Sequence, residues 1–135
     1  NRVERKEHIL RLSLADICLD NFLHNGGVTT IDSLIAGVPL ITLKGRNHSE
    51  RTGASILSAA GLEKYIARNK EEYVNLCINL ATKRTDLLNI KNYIKGQVKN
   101  SPLFDTSLLA KNLELGFNQM FKCWLKNKRP NFIKI

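Results

Sequence analysis

The sequence predicts an α/β protein in which parallel strands are flanked by helices. Three consecutive segments carry this prediction: an apolar strand at residues 17–22, a helix from Val28 to Gly37, and a second strand at residues 38–43. Asn25-Gly26-Gly27 is a turn signal before the helix, and Pro39 prevents the helix from extending further. A strand, a loop, a helix and a second strand form the unit from which parallel sheets are built.

The composition indicates a globular protein with a substantial positive charge. The 135 residues fit one domain, and a hydrophobic content of 43% is enough for a core. The net charge of +9 would suit nucleic acid, an acidic surface or a phosphorylated ligand. Because no zinc finger, RNA-binding aromatic pair or basic heptad accompanies the charge, we interpret it mainly as solvated surface and expect no nucleic-acid partner.

Other features of the composition exclude several classes. The three cysteines are far apart without a C-x-x-C pair, which favours buried thiols over a disulfide or a metal site. His24 and His48 have no third ligand at suitable spacing, so we expect no metal site. No apolar run reaches the roughly 20 residues of a membrane helix, and the first residues lack the apolar segment of a signal peptide. These observations predict a cytoplasmic protein without membrane contact.

A short helix is predicted at residues 5–14, before the first strand. On this helix His8 and Arg11 are three residues apart and share one face. They are either ordinary basic groups on a helix surface or a nucleotide-base clamp, in which the imidazole stacks on the base and the guanidinium donates to a carbonyl oxygen.

The glycine loop before the second helix is the strongest candidate for a binding site. Gly26 and Gly27 come immediately before the helix, and Thr29 and Thr30 add two hydroxyls to the free N–H groups of its first turn. Asp32 follows within one turn and could accept from ribose hydroxyls or merely balance the helix dipole. The pattern matches neither G-x-G-x-x-G nor the P-loop, so it favours neither a dehydrogenase nor an NTPase. An ordinary βα turn remains the alternative to a phosphate site.

The later elements are predicted from caps, breakers and apolar spacing. In order they are a helix from Ser49 or Glu50 to Gly61, an edge strand at residues 62–67, a helix capped by Asn69, a helix from Thr85 and Asp86 to near Gly96, and a final helix capped by Asp105. Residues 45–50 form a polar loop at the carboxyl end of the second strand, where open parallel sheets bind ligands. An apolar stripe on the final helix is predicted to be core: Leu109, Leu113, Phe117, Met120 and Trp124. Pro130 and Phe132 are expected to anchor the basic tail.

Several short motifs at matching spacing give the chain a family resemblance over nearly its whole length. They are KEH at 6–8 with Arg11, LADICLD at 14–20, NGGVTT at 25–30 with Asp32, AGVP at 36–39, RTGAS at 51–55, SPLFD at 101–105 and NQMF at 118–121. With these motifs the chain resembles the tetratricopeptide-linked O-linked N-acetylglucosamine transferases and their SPINDLY-like relatives.

The resemblance implies a GT-B glycosyltransferase, in which two Rossmann-like domains face each other. Residues 1–104 would be the Rossmann-like donor-binding domain of the carboxy-terminal half, without its first elements, and residues 105–135 a helix and basic tail packed on that domain. The full-length enzyme would transfer N-acetylglucosamine from UDP-N-acetylglucosamine to Ser or Thr of proteins, without a metal or other cofactor. Alternatives are a related protein O-fucosyl- or glucosyltransferase, and a non-catalytic basic α/β module that binds a polyanion.

The resemblance also implies roles for individual residues. His8 and Arg11 would contact the base, Asp32 would bind ribose, and the diphosphate would be held by Gly26, Gly27, Val28, Thr29 and Thr30. Animal members carry His-Thr-Thr where Gly27-Val28-Thr29 stands here, and Lys where Arg5 stands, so Arg5 is a further candidate.

The other parts of the enzyme are expected outside this chain. The amino-terminal half, the tetratricopeptide repeats and the groups that act on the protein acceptor would lie upstream of Asn1, so the 135 residues alone should be inactive. From the resemblance we expect the protein in the nucleus as well as in the cytoplasm.

Overall fold

The chain folds into two compact units, one that ends at Leu103 and one that spans Phe104–Ile135. A computed structural model describes residues 3–135. The first unit is a parallel sheet flanked by helices, which confirms the predicted fold class. The predicted packing of the carboxy-terminal tail on this domain stays a prediction. No helix within residues 3–135 is long and apolar enough to cross a membrane.

The first unit alternates helices with three short strands. Its elements are α1 (Arg5–Leu12), β1 (Cys18–Leu19), α2 (Val28–Ile35), β2 (Leu40–Leu43), α3 (Thr52–Ala59), β3 (Ile66–Ala67), α4 (Lys70–Thr82) and α5 (Arg84–Gln97). Short 3-10 turns span Glu63–Tyr65 and Val98–Asn100. Gly37 adopts a φ of +77° directly after α2, so the predicted glycine end of this helix is confirmed.

The sheet has the order β1-β2-β3, and both pairs of strands are parallel. Cys18 lies opposite Leu40, and Thr42 lies opposite Ile66. Parallel neighbours need a crossover, which α2 and α3 supply. The carboxyl ends of β1 and β2 therefore meet at one edge of the sheet, and the glycine loop begins there.

β1 is shorter and less buried than the sequence predicted. It ends at Leu19, whose side chain is 62% exposed, and Phe22 lies outside the strand. The backbone turns at once because Asp20 Oδ1 accepts from the Asn21 amide and Asn21 Oδ1 accepts from the Leu23 amide. Side chains that bond to nearby backbone in this way compete with strand continuation.

The core of the first unit lies between β2 and the helices. Its fully buried side chains include Leu34 of α2, Val38 before β2, Ile41 and Thr42 of β2, Leu57 of α3 and Ile94 of α5. The predicted cap of α4 is confirmed, since Asn69 Oδ1 accepts from the Glu72 amide at 2.8 Å. The three cysteines were predicted to be buried; they are half-buried free thiols.

The second unit consists of α6 (Thr106–Leu125) and an extended tail. Asp105 caps α6 as predicted, because its Oδ1 accepts from the Leu108 amide at 2.8 Å. The prediction that the apolar stripe is core is wrong for this unit, since all five of its side chains are more than half exposed. A single helix has no opposing apolar layer of its own, so periodicity alone could not place the stripe in a core. Phe132 is also exposed within this unit.

Candidate functional site

The amino terminus of α2 is open. Gly27 is the N-cap residue, and no side chain caps the helix. The first-turn amides of Val28, Thr29 and Thr30 have no partner inside the helix, because an α-helix leaves its first N–H groups unpaired. Thr29 is exposed, whereas Thr30 is buried and its hydroxyl donates to the Gly26 carbonyl at 2.8 Å. Of the two predicted hydroxyl donors, only that of Thr29 is therefore at the surface.

A cavity of about 430 Å³ lies beside this helix terminus. Its lining includes all five predicted residues of the glycine loop together with His24, whose side chain is exposed. The volume is in the range of small-molecule sites. Among residues 3–135 no three His, Cys, Asp or Glu side chains are grouped so that they could hold a metal ion.

The buried carboxylate of Asp20 holds the glycine loop through a hydrogen bond to its backbone. Asp20 is 9% exposed; its Oδ1 accepts from the Gly26 amide at 2.8 Å and its Oδ2 accepts from the Thr42 hydroxyl at 2.7 Å. The phenol of Tyr73 donates to the Asp20 carbonyl at 3.2 Å. Burial is the main cause that raises the pKa of Tyr73 to about 12. The first loop residue is thus fixed to the sheet through Asp20.

Asn25 ties the same loop to α3. Its side chain is buried; Oδ1 accepts from the Gly53 amide at 3.1 Å and Nδ2 donates to the Asn21 carbonyl at 2.7 Å. The Asn25 amide donates to the Ser49 carbonyl at 2.9 Å. Asp20 was not among the residues predicted for the site, and Asn25 was predicted only as part of the turn signal. The available signal was a carboxylate at the carboxyl end of a parallel strand, six residues before the first glycine of the turn.

Arg5, His8 and Asp32 come together where α1 meets α2. Arg5 Nη2 donates to Asp32 Oδ1 at 2.8 Å, and His8 Nε2 lies 3.7 Å from Asp32 Oδ2. The Asp32 side chain is 7% exposed, while that of Arg5 is 66% exposed. Asp32 therefore joins the two helices rather than only balancing the dipole of α2.

His8 and Arg11 share one face of α1, as predicted. The Arg11 guanidinium is 3.1 Å from His8 Nδ1, and a guanidinium can only donate. His8 Nδ1 is consequently the acceptor, so the proton of the neutral ring is on Nε2, the nitrogen nearer to Asp32. The two side chains form an exposed polar pair on one face of α1.

The carboxylate of Glu50 forms hydrogen bonds to the backbone of its own loop, residues 45–50, where the sequence had suggested ligand contacts. Glu50 Oε2 accepts from the amides of Arg46 at 2.8 Å and Asn47 at 3.2 Å. These backbone hydrogen bonds hold the pKa of the Glu50 carboxyl below its ordinary value. The carboxylate thus stabilises the shape of its own loop.

A larger cavity, of about 880 Å³, lies beside α3 and includes Lys44, Arg51 and Arg68 in its lining. These three side chains are exposed. Near the start of α3 the Gly53 amide is already bonded to Asn25, whereas no side chain occupies the start of α2. The smaller cavity at α2 is therefore the better candidate for an anionic ligand.

Known proteins with related sequences point to one family. The model of glycosyl transferase family 41 matches residues 1–113. The protein named "Probable UDP-N-acetylglucosamine–peptide N-acetylglucosaminyltransferase SPINDLY" from Petunia hybrida is 38% identical over 125 residues, which are 93% of this chain and 13% of that protein. A Caenorhabditis elegans protein, named UDP-N-acetylglucosamine–peptide N-acetylglucosaminyltransferase, is 33% identical over 122 residues, 90% of this chain and 11% of its own length.

A solved structure has the same fold. A mutant O-GlcNAc transferase from Thermobaculum terrenum superposes with a TM-score of 0.79 at 24% identity, over 87% of this chain and 23% of that one. The chain thus spans about an eighth of the length of its curated plant relatives and about a quarter of this structure.

Proposed function

The chain belongs to glycosyl transferase family 41, and from this membership we propose that it binds the nucleotide-sugar donor of a protein O-linked N-acetylglucosamine transferase. The donor is UDP-N-acetylglucosamine, and the acceptors are Ser or Thr hydroxyls of proteins. The names of the plant and nematode relatives support this donor and a peptide acceptor.

The open start of α2 beside the 430 Å³ cavity is the observation that carries the proposal. Unpaired amides and the positive end of the helix dipole favour a phosphate group there. The amides of Val28 and Thr29, with the Thr29 hydroxyl, bind the diphosphate. Gly26 and Gly27 keep the backbone accessible, and the Thr30 hydroxyl stays bonded inside the loop.

The nucleoside is bound by α1 and by Asp32. His8 stacks on the uracil and Arg11 donates to one of its carbonyl oxygens. The ribose hydroxyls donate to Asp32 Oδ2, because Oδ1 already accepts from Arg5. Arg5 therefore fixes the ribose-binding carboxylate instead of contacting the base.

In the reaction this chain stabilises the leaving group. As the sugar–phosphate bond breaks, negative charge develops on the UDP diphosphate, and amides already aimed at it lower the barrier. Groups that act on the acceptor hydroxyl lie in other parts of a longer enzyme, together with the amino-terminal GT-B half and the tetratricopeptide repeats. The reaction needs no metal and takes place in the cytoplasm and the nucleus.

Nucleotide titrations of the 135-residue chain test donor binding. UDP should perturb the amide resonances of His8, Val28 and Thr29 saturably, and GDP should bind more weakly. If GDP binds better, the fucosyltransferase alternative replaces ours. If neither nucleotide binds while a polyanion binds with strong salt dependence at the lysine-rich helices, the donor site is wrong.

Turnover is tested separately with the full-length protein. UDP-N-acetylglucosamine, UDP-glucose and GDP-fucose are compared side by side, with and without a metal chelator. Transfer from UDP-N-acetylglucosamine that survives the chelator is the expected result. Turnover by the 135-residue chain alone would contradict the assignment of acceptor chemistry to other parts of the enzyme.

A further inference from the structure

We infer that Asp20 is the positioning residue of the glycine loop: its buried carboxylate holds the Gly26 amide so that the next amides face the donor diphosphate. The inference deepens the proposed function and rests on it. Its basis is the pair of hydrogen bonds from Asp20 to Gly26, at 2.8 Å, and to Thr42, at 2.7 Å.

Both oxygens of the carboxylate are used inside the fold. Oδ1 accepts from the amides of Asn21 and Gly26, and Oδ2 accepts from the Thr42 hydroxyl. No Lys, Arg or His pairs with Asp20 within residues 3–135. A buried carboxylate without a cation needs such donors, and charge-assisted hydrogen bonds are the stronger kind. The position of Gly26 is therefore strongly determined.

The glycine of the RTGAS motif makes room for this arrangement. A Cβ on Gly53 would collide with Asp20 Oδ2 and would lie only 2.6 Å from Thr42 Oγ1. Gly53 is the second residue of α3, and Gly26 lies two residues before α2. The positive ends of two helix dipoles thus lie near the carboxylate and offset its burial.

The carboxylate itself does not bind the donor. A negative charge next to a diphosphate would repel it, so Asp20 favours binding only through the backbone it fixes. Loss of the side chain should therefore weaken contacts to phosphate and leave contacts to the nucleoside unchanged, since His8 and Arg11 are on α1. This selectivity separates positioning from a general structural role.

The test compares UDP with uridine, on the full-length protein, by titration calorimetry. Asp20→Ala should lower UDP affinity about tenfold, the effect of one lost interaction of hydrogen-bond strength, and change uridine affinity less than about twofold. Asp20→Asn retains an oxygen for the Gly26 amide, and Thr42 can accept from its amide group, so UDP affinity should stay within about threefold.

Two further variants keep the test decisive if Asp20→Ala does not fold. Thr42→Val removes one partner of the carboxylate and leaves the Gly26 bond intact, so it should lower stability without the selective loss of UDP. Gly53→Ala introduces a Cβ that displaces the Asp20 carboxylate. It should therefore lower UDP affinity while leaving uridine affinity unchanged, as Asp20→Ala does.

The outcomes separate this inference from the proposed function. A wild-type chain that binds neither UDP nor uridine overturns the proposed function, and the positioning role with it. A wild-type chain that binds UDP overturns only the positioning role if Asp20→Ala binds UDP normally, if it loses UDP and uridine equally, or if Asp20→Asn fails as badly as Asp20→Ala.

Discussion

Arg5 and Asp32, 27 positions apart, are joined by a hydrogen-bonded ion pair of 2.8 Å that links α1 to α2. Asp32 is nearly buried, so its carboxylate has lost most of its hydration. The hydrogen bond and charge of Arg5 replace part of that lost stabilisation. The pair also fixes the position of α1, which carries His8 and Arg11. The nucleoside side of the proposed site is thus attached to the phosphate side through Asp32, which Arg5 contacts directly and His8 approaches at 3.7 Å.

Arg5→Met should destabilise the chain by about 1 kcal/mol, because it leaves a buried carboxylate without its charged partner. Water partly screens the charge of the exposed guanidinium, so the loss of unfolding free energy should be small for a charged hydrogen bond. The measurement is the free energy of unfolding in urea. Lys6→Met is the matched control, since it removes the same charge from an exposed position on the same helix. Equal losses in the two variants would mean that the ion pair contributes nothing.

The two glycines of the loop should respond differently to alanine. A Cβ on Gly26 would lie 2.8 Å from the Thr30 hydroxyl oxygen, whereas a Cβ on Gly27 would meet nothing closer than Thr52 Cγ2 at 4.0 Å. Overpacking of this kind costs about 1–3 kcal/mol, so Gly26→Ala should lower stability and UDP affinity. Gly27→Ala should fold as the wild type does.

Urea unfolding and UDP titration of both glycine variants check this expectation. If Gly27→Ala lowers stability or UDP affinity more than Gly26→Ala does, steric crowding at Gly26 is not the reason for glycine in this loop.

The sequence predicted the elements well because their signals are local. The side chains of Asn69 and Asp105 each cap a helix by accepting from an amide three residues later. Gly37, with its positive φ, lies just after the end of α2. The pairing of His8 with Arg11 depends on helical spacing alone. Each of these relations spans four residues or fewer, which is the range over which sequence patterns are reliable.

The support of the glycine loop could not be predicted in the same way. Asp20 meets Thr42 22 positions later, and Asn25 meets Gly53 28 positions later. Both contacts depend on how the loops emerge at one edge of a parallel sheet, which residue spacing does not encode. The predicted site therefore combined the glycine loop with His8, Arg11 and Asp32, whereas the buried groups that hold the loop, Asp20 and Asn25, came only from the structure.

Tyr73 should make the fold sensitive to alkali. Its pKa is raised to about 12, mainly by burial, so the folded chain retains the phenol proton above the ordinary value of 10.0. The native state then binds more protons than the unfolded state between these values, and stability falls as the pH rises through them. Tyr73→Phe should reduce this fall, and the raised pKa of the Cys77 thiol accounts for a further part of it. Tyr93→Phe, which keeps the Tyr73 phenol, is the control.

Unfolding free energies at a series of alkaline pH values provide the measurement. An undiminished alkaline fall in Tyr73→Phe would assign the effect to other groups.

Glu50 should make the loop at residues 45–50 sensitive to acid. Its pKa is held below the ordinary 4.5 by the amides of Arg46 and Asn47, so its contribution to stability is complete above that value and is lost as the pH falls through the folded pKa. In urea unfolding, the stability difference between wild type and Glu50→Gln should be constant above about pH 5 and shrink below it. Glu63→Gln, an exposed carboxylate elsewhere, is the control. A difference that does not change with pH would mean that the Glu50 charge does not hold the loop.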